Sequence, residues 1–320
     1  MAKITVQDLL AAGVHFGHQT KRWNPKMREY VYGVKNGIYI IDLAKTMHQL
    51  AGACNFLQHT VSDGGKILFV GTKRQAQEVV REAAEKTESY FVTERWLGGA
   101  LTNNKTIQRS VKRMQDIDAK LEADSAKMKK KEIARLSRTS GKLHRNLDGI
   151  AKMHDLPSAL VVVDVCHEHI AVAEAVKLGI PVVAIIDTNA NPDRINYPIV
   201  ANDDAVKSIS VIINVMADAI KVASDMYIKR AAEEKARIEL EKAEAAKIKE
   251  EEKAKRAADA EMEKKSKKSP AKKAPVKKPA SKKKPVKSEE SASGEAVEKK
   301  KVEEKKEATE KKEKSADKGE

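Results

Sequence analysis

Short apolar runs alternate with longer amphipathic stretches over residues 1–228 of the chain. Strands are predicted at residues 39–41, 66–70, 90–92, 159–163 and 181–186, and in a brief stretch that ends at Val200. Helices are predicted at about residues 5–13, 43–61, 74–86, 168–178 and 204–227. Strands that are apolar on both faces and alternate with helices predict a doubly wound α/β domain with a parallel sheet of about five strands.

Residues 103–153 interrupt this alternation, since they contain neither proline nor a strand-like run. An apolar seam with spacings of three and four follows Ile133, Leu136, Ser140, Leu143, Leu147 and Ile150. A matching stripe follows Ile107, Val111, Met114, Ile117 and Leu121. These seams predict an antiparallel α-helical coiled-coil hairpin joined near Asp124 and Ser125. Each arm, about 22 residues and about 33 Å long, would project from the body.

The chain beyond Tyr227 contains no Phe, Trp or Tyr. It is dense in Lys, Glu, Ala and Pro, and such a segment buries too little apolar surface to offset its chain entropy. We therefore expect a globular domain at residues 1–228 and a charged tail at residues 229–320. The alternation of Glu and Lys with Ala predicts a helix to about residue 265, followed by a disordered segment.

The formal net charge of +15 is unevenly distributed along the chain. Residues 1–228 contain 31 Lys and Arg against 25 Asp and Glu, and residues 229–320 contain 31 against 22. Within the globular part, residues 105–152 have 14 basic groups and six acidic ones, whereas residues 156–228 have four and nine. A solvated helix face would explain scattered charge but not this segregation, so we expect the hairpin to bind a polyanion.

A second basic cluster surrounds an aromatic residue, with Lys21, Arg22 and Lys26 on either side of Trp23. Basic groups neutralise phosphates and an aromatic ring can stack on an unpaired base. The alternative, that Trp23 fastens this segment to the domain, remains open.

Two further turns carry basic residues. Lys73 and Arg74 follow Gly71 where a strand leads into a helix, the position at which backbone N–H groups receive phosphate. The spacing of a full phosphate loop is absent, so one nucleic-acid phosphate is preferred to a nucleotide, with an ordinary turn as the alternative. Arg95 lies beside Gly98 and Gly99, which allow close backbone approach; a purely structural role is favoured for Trp96.

Candidate metal and catalytic motifs are weak. Residues 187–193 resemble the start of a calcium loop, but Pro192 replaces the turn glycine and Pro198 stands where a bidentate carboxylate belongs. A divalent ion held by Asp187, Asp193 and a histidine is the alternative; we expect no metal, no cofactor and no enzymatic activity. Cys166 through His169 is interpreted as loop and cap residues. Two cysteines in unrelated contexts, no secretory signal and no long apolar run indicate a cytoplasmic protein.

Several longer strings match a known family. They are His15 to His18, Arg22 to Met27, Phe69 to Ala76, Arg95 to Asn103, and the segment from Gly179 to Ala205. Over about residues 2–228 the chain resembles the family of the bacterial small-subunit ribosomal protein number two. Ala100 and Ala190 depart from residues common in that family.

The resemblance implies a flavodoxin-like sheet that carries a coiled-coil hairpin, and a non-catalytic, ribosome-bound role. It further implies binding to small-subunit ribosomal RNA at the junction of head and body, and recruitment of the large mRNA-binding ribosomal protein. Neighbouring small-subunit proteins are expected partners, and neither a membrane nor a second copy of the chain is. The residues expected to contact RNA are Lys21, Arg22, Trp23, Lys26, Lys73, Arg74, Arg95, Lys105, Arg109, Lys112 and Arg113.

Two other functions stay open at this point. A nucleotide-binding α/β enzyme could use the Gly71 turn and the Asp187 loop, because this architecture carries many functions. A DNA-compacting protein could act through the tail, where Ser-Pro, Lys-Lys and Ala-Pro units between residues 266 and 287 resemble linker-histone tails.

Overall fold

The computed structural model describes residues 4–124 and 128–266 of the chain. Its α-helices are α1 (Val6–Ala11), α2 (Leu43–Ser62), α3 (Gln77–Lys86), α4 (Asn104–Asp124), α5 (Lys130–Leu147), α6 (His169–Leu178) and α7 (Val206–Ser266). Its strands are β1 (Phe16–Gln19), β2 (Val31–Lys35), β3 (Ile38–Ile41), β4 (Ile67–Val70), β5 (Tyr90–Val92), β6 (Ala159–Val163), β7 (Val182–Ile186) and β8 (Tyr197–Val200). Short 3-10 helices cover Thr20–Arg22, Pro25–Tyr30, Asp148–Ile150 and Pro192–Arg194.

Five strands form a parallel sheet in the order β5-β4-β6-β7-β8. Chain order therefore reverses between β4 and β6, the arrangement of a flavodoxin-like fold. The register sets Phe69 beside Val161 and Val161 beside Val183, so the centre of the sheet is entirely aliphatic and aromatic. The expected doubly wound α/β architecture is confirmed.

The sheet is covered on both faces by separate hydrophobic cores. Because successive side chains of a strand point to opposite faces, Ile67 and Phe69 of β4 enter one core and Leu68 and Val70 the other. The first core takes in buried residues of α2, α3 and α7, and the second takes in those of α4 and α6. Both faces of β4, β6 and β7 are consequently inaccessible to ligands, which leaves the ends of the strands for function.

The N-terminal region forms a second sheet that the hydrophobic pattern did not predict. Strands β1, β3 and β2 pair in that order and antiparallel, so the segment expected at residues 39–41 does not belong to the main sheet. Strand β1 lies in a segment for which the hydrophobic pattern predicted no strand. Asn36 and Gly37, both with positive φ, join β2 to β3 in the turn favoured by a tight hairpin.

Helix α1 begins as expected, since Thr5 and Asp8 cap each other's backbone in a capping box. Helix α3 begins at Gln77 instead of Arg74. The carbonyl of Lys73 accepts hydrogen bonds from the N–H groups of Ala76 and Gln77, and the resulting turn occupies the residues expected to start the helix.

Helices α4 and α5 contact each other along one side. The amide of Asn104 donates to the carbonyl of His154 at 3.4 Å, and the Ser140 hydroxyl donates to Asp118 at 2.7 Å. The start of α4 thus lies near the residues after α5, and its middle lies near the middle of α5. The connection between the two helices was expected near Asp124 and Ser125, and Ser125 lies outside the described residues.

No helix in the described ranges is long and apolar enough to cross a membrane. Helix α7 covers the stretch from residue 229 to about 265 that was expected to be helical. The segment of the tail expected to be disordered, from residue 267 onward, is not among the described residues.

Candidate nucleic-acid interface

One buried carboxylate, on Glu174 of α6, organises the segment that joins β5 to α4. Its Oε1 accepts hydrogen bonds from the Trp96 indole at 3.1 Å and from the Gly99 backbone at 2.7 Å. Its Oε2 accepts from the backbones of Leu101 and Thr102 and from the Thr102 hydroxyl, each at 3.1 Å. Trp96 is buried by this arrangement, which confirms the structural role expected for it.

The charge state of Glu174 follows from these five donors. Burial alone would raise the pKa of the Glu174 carboxyl, but hydrogen bonds from Thr102, Gly99, Trp96 and Leu101 lower it below its usual range. A carboxylate held by backbone N–H groups stays ionised near neutral pH. Glu174 therefore fixes the path of the chain into α4 through a permanent charge.

Arg74 and Arg95 lie at the same edge of the main sheet. Each follows the carboxyl end of a strand, and those strands, β4 and β5, are neighbours. Both side chains belong to exposed residues. The edge thus carries two exposed guanidinium groups.

Helix α4 separates its apolar and basic residues onto different faces. Ile107, Val111 and Met114 are buried in the second core. The four basic residues expected to bind RNA from this helix are exposed: Lys105, Arg109, Lys112 and Arg113. Their spacings of four, three and one residues place them on one side of the helix, opposite the buried stripe.

The N-terminal basic cluster is only partly available to a ligand. Lys21 and Arg22 are exposed in the first 3-10 helix, whereas the Lys26 ammonium forms an ion pair with Asp193. The Trp23 ring lies 5.0 Å from that of Tyr39, tilted by 35°. Trp23 is half-buried and its ring lies against Tyr39 of β3, so protein covers one face of the ring, which favours the anchoring alternative.

Lys73 points into a group of carboxylates and away from solvent. Its Nζ lies 2.8 Å from Asp203, 2.7 Å from Asp204 and 3.2 Å from Asp164. Burial alone would lower the pKa of Lys73, but hydrogen bonds to Asp203 and Asp204 raise it above its ordinary value. The ammonium is thus permanently charged and already neutralised by protein, unlike Arg74 beside it.

The position where a nucleotide phosphate would enter is held by Glu168. The Thr72 N–H donates to Glu168 Oε1 at 2.9 Å, and the Thr72 hydroxyl donates to the same oxygen. Ligands of open α/β sheets bind at the carboxyl ends of the strands where chain order reverses, here between β4 and β6. A carboxylate of the protein itself occupies this place.

Asp187 and Asp193, the carboxylates of the divalent-ion alternative, have different partners. Asp193 pairs with Lys26, whereas Asp187 Oδ2 lies 2.8 Å from His18 Nδ1. Asp187 is buried and Asp193 is exposed. The histidine of that alternative is thus His18, and its second carboxylate partner is Asp204, at 3.6 Å from Nε2.

Sequence reasoning missed Glu174 and Asp203 as determinants of this region. The signal for Glu174 was available: it is the one acidic residue within the largely apolar stretch of α6, HIAVAEAVKL. An acidic residue flanked by alanines and valines indicates a buried carboxylate that needs hydrogen-bond donors. The identity of those donors depends on the fold, because they come from a segment far away in the chain.

The chain matches the family model described as "Ribosomal protein S2" over residues 9–223. The small ribosomal subunit protein uS2 of Tolumonas auensis (strain DSM 9187 / NBRC 110442 / TA 4) is 49% identical over 229 residues, which are 71% of this chain and 95% of that protein. The protein of the same name from Chlamydia muridarum (strain MoPn / Nigg) is 51% identical over 218 residues, 68% of this chain and 78% of that protein. These matches cover most of the α/β domain and both helices inserted in it, so the chain belongs to the ribosomal protein S2 family.

Proposed function

We propose that this protein is a structural component of the small ribosomal subunit and binds small-subunit ribosomal RNA through the basic face of α4 and the turns after β4 and β5. The observation that carries the proposal is the exposure of four basic residues on one side of α4, opposite its buried apolar stripe. The relatives named small ribosomal subunit protein uS2 support the same role.

In this role the α/β domain is a rigid platform without a reaction of its own. Arg109, Arg113 and Arg95 would each grip a phosphate by a two-pronged hydrogen bond, while Lys105 and Lys112 act as mobile point charges. The hydrogen bonds of Glu174 hold the Arg95 turn and the start of α4 in place. The binding surface is therefore ordered before RNA binds. Pre-ordered contacts lose less entropy when the complex forms.

Helices α4 and α5 are proposed to form an antiparallel coiled-coil hairpin. Support comes from the buried positions Ile107, Val111 and Ile117, which recur at intervals close to those of a heptad, and from buried Ser140 and Leu147 of α5. The Ser140 hydroxyl interrupts this apolar seam but is satisfied by Asp118. Such a hairpin would present its basic face along most of its length.

We propose that Lys73 lies near the RNA but stabilises the protein and does not itself bind phosphate. Because three carboxylates surround its ammonium, its attraction for phosphate is offset, and it would hold the loops after β4, β6 and β8 together. Lys21, Arg22, Arg74 and Arg95 carry no such ion pair in the described ranges and remain the better phosphate ligands.

The nucleotide-binding alternative is disfavoured by the position of Glu168. A phosphate approaching the Thr72 backbone would have to displace this carboxylate from two hydrogen bonds and would meet its negative charge. The DNA-compacting alternative depends on residues outside the described ranges and stays a prediction of the sequence.

The location of the protein within the small subunit is proposed from the family resemblance. We place the protein at the junction of head and body of the small subunit in the cytoplasm, where it helps to recruit the large mRNA-binding ribosomal protein. The acidic residues between 156 and 228 would face such protein neighbours, since like charge keeps that half away from RNA phosphates.

Charge reversal on α4 tests the proposed RNA contact. The double variant Arg109→Glu, Arg113→Glu should co-sediment with small ribosomal subunits at least tenfold less than the wild-type chain after a moderate salt wash. The matched control is Lys177→Glu, Lys207→Glu, which makes the same change of net charge at exposed residues in the acidic half. Both variants should keep the circular dichroism spectrum of the wild-type chain.

Normal co-sedimentation of the α4 variant would reject this surface as the RNA contact. An equal loss in both variants would show that net charge, and not its position, decides incorporation, which would also contradict the proposal.

A further inference from the structure

The carboxyl edge of the main sheet holds a polar cluster that RNA binding does not explain. His18 of β1 reaches this edge because the His18 N–H donates to the Thr188 hydroxyl at 2.9 Å. A Cβ at neighbouring Gly17 would lie 2.7 Å from the Thr188 side chain, so glycine permits this close approach. The imidazole is thereby placed between the loops that follow β7 and β8.

Asp187 orients the His18 ring. Its buried Oδ2 lies 2.8 Å from Nδ1, which assigns a ring proton to that nitrogen and leaves Nε2 as the acceptor nitrogen of the ring. A carboxylate behind the distal nitrogen of an imidazole is the usual second partner of a metal-binding histidine. The Nε2 atom faces Asp204 Oδ2 at 3.6 Å and the Asn189 amide nitrogen at 3.4 Å.

Asp203 supplies a buried carboxylate oxygen without a partner. Its side chain is 1% exposed, and Oδ1 accepts from Lys73 at 2.8 Å. The other oxygen, Oδ2, is buried and has no hydrogen-bond partner among the described residues. An unpaired buried carboxylate oxygen is costly, so its presence next to His18 and Asp204 points to a missing cation or donor.

The charges of the cluster do not balance. Asp164, Asp187, Asp203 and Asp204 contribute four carboxylates, and Lys73 is the ammonium that contacts three of them. Lys73 alone therefore leaves excess negative charge in a largely buried place, which a divalent cation would neutralise.

We propose that His18, Asp203 and Asp204 bind a divalent transition-metal ion. One ligand atom from each residue lies within 4.8 Å of those of the other two, close enough to share one ion. The ion would tie β1 of the antiparallel sheet to the loop after β8, with Asp187 as the group that positions His18.

The mixed ligand set selects the class of ion. An imidazole nitrogen with two carboxylates suits Zn²⁺ or Mn²⁺, whereas Mg²⁺ and Ca²⁺ prefer oxygen ligands alone. Three protein ligands leave at least one coordination position for water.

Isothermal titration of the full-length, untagged chain with Zn²⁺ tests the proposal, after treatment with a chelator and dialysis. We expect one tight site per chain, with Mn²⁺ also bound and Mg²⁺ at least tenfold weaker. The variant Asp204→Asn should weaken Zn²⁺ binding at least tenfold, and because this side chain is 58% exposed, folding should survive. Asp193→Asn is the matched control, since Asp193 is a similarly exposed aspartate with Lys26 as its partner.

His18→Gln provides a second, independent variant, and the melting temperature provides a second measurement. Saturating Zn²⁺ should raise the melting temperature of the wild-type chain and of Asp193→Asn but not of Asp204→Asn or His18→Gln. The proposal is overturned if the wild-type chain shows no Zn²⁺ site, if Asp204→Asn binds as tightly as wild type, or if Asp193→Asn loses binding equally. Binding of Mg²⁺ in preference to Zn²⁺ and Mn²⁺ would equally overturn the assignment to a transition metal.

Discussion

Gly149 lies where the chain after α5 passes closest to the main sheet. A Cβ built at this residue would be 2.0 Å from the carbonyl oxygen of Phe91 and 2.6 Å from its ring. Both atoms belong to Phe91 of β5, and its carbonyl group cannot move without disturbing the pairing of β5 with β4. Glycine is required here for space, whereas Gly141 within α5 has no atom within 4 Å of its virtual Cβ.

Replacing these two glycines by alanine should have opposite effects. Gly149→Ala should lower the free energy of unfolding by about 1–3 kcal/mol, as overpacking does. Gly141→Ala should raise it by up to about 1 kcal/mol, because alanine is the better helix former. Urea denaturation of both variants measures the difference, and equal effects would contradict the close approach at Gly149.

Glu174→Gln tests the buried carboxylate by a nearly isosteric change. The amide group of Gln would turn an N–H₂ toward N–H and O–H donors, leaving some of them unpaired, and should cost about 2–3 kcal/mol of stability. We also expect weaker binding to small-subunit RNA, because the Arg95 turn loses its support. Glu78→Gln on the exposed side of α3 is the control; equal stability of the two variants would show that the carboxylate is dispensable.

Residue-level features differ in how far the sequence could predict them. The exposed basic residues of α4 followed from spacing alone, because a helix repeats every 3.6 residues. The ion pairs of Lys73 with Asp203 and Asp204 could not be predicted in this way, because both aspartates follow a strand more than a hundred residues away in the chain. Long-range polar contacts depend on strand order, which the hydrophobic pattern does not contain.

At the scale of elements, the two antiparallel strands β1 and β2 escaped prediction. Their residues, FGHQ and VYGVK, are all half-buried or exposed and form no continuous apolar run. The Asn36-Gly37 pair was a usable hairpin signal between two short β-rich segments. The buried strands β4, β6 and β7 were predicted well because both of their faces are covered, which makes every residue apolar.

His144 of α5 contacts one carboxylate through each nitrogen of its ring, and one of these contacts joins α5 to α4. Nδ1 lies 2.6 Å from Asp148 and Nε2 lies 2.8 Å from Asp118 of α4. The hydrogen bond to Asp148 raises the pKa of His144, burial opposes this rise, and the hydrogen bond to Asp118 adds to it, so that the pKa lies above its ordinary value. The doubly protonated ring can donate to both carboxylates at once, whereas the neutral ring can donate to one.

The pairing of α4 and α5 should therefore weaken as pH rises. A raised pKa in the folded state means that the contribution is complete below the unfolded value of about 6.5 and disappears as pH passes the folded value. Because His144 is partly exposed, the effect should stay below about 1 kcal/mol. Comparing urea denaturation of wild type and His144→Gln between pH 5.5 and 8 (~0.5-unit steps) measures it; a difference independent of pH would contradict this role.

At the scale of the whole molecule, the distribution of charge along the chain is more informative about the ligand than the net charge is. The formal +15 combines a strongly basic stretch at residues 105–152, an acidic stretch at residues 156–228 and a basic tail. A protein that used net charge alone would bind any polyanion. One that displays its cations on α4 and two adjacent turns requires a matching arrangement of phosphates, which structured RNA provides.

Binding to small-subunit RNA should fall steeply with salt. If about six phosphates are neutralised, the affinity should drop by about 10³ between 50 and 200 mM salt. The double variant Arg109→Glu, Arg113→Glu should reduce the slope of log affinity against log salt by about two. Filter binding at four salt concentrations checks both values, and an affinity that salt leaves unchanged would contradict the electrostatic account.

The order of the strands has a consequence for how the protein is made. Strand β4 lies between β5, which follows it closely in the chain, and β6, which begins only at Ala159, after both inserted helices. At a synthesis rate of about 5–20 residues per second, the edge of β4 that pairs with β6 stays unpaired for about 5–20 s. Helices α4 and α5 make mainly local contacts and can form during that interval, whereas the nascent sheet has an open apolar edge. Slowing translation within residues 104–147 would lengthen this exposure and favour aggregation of the unfinished chain.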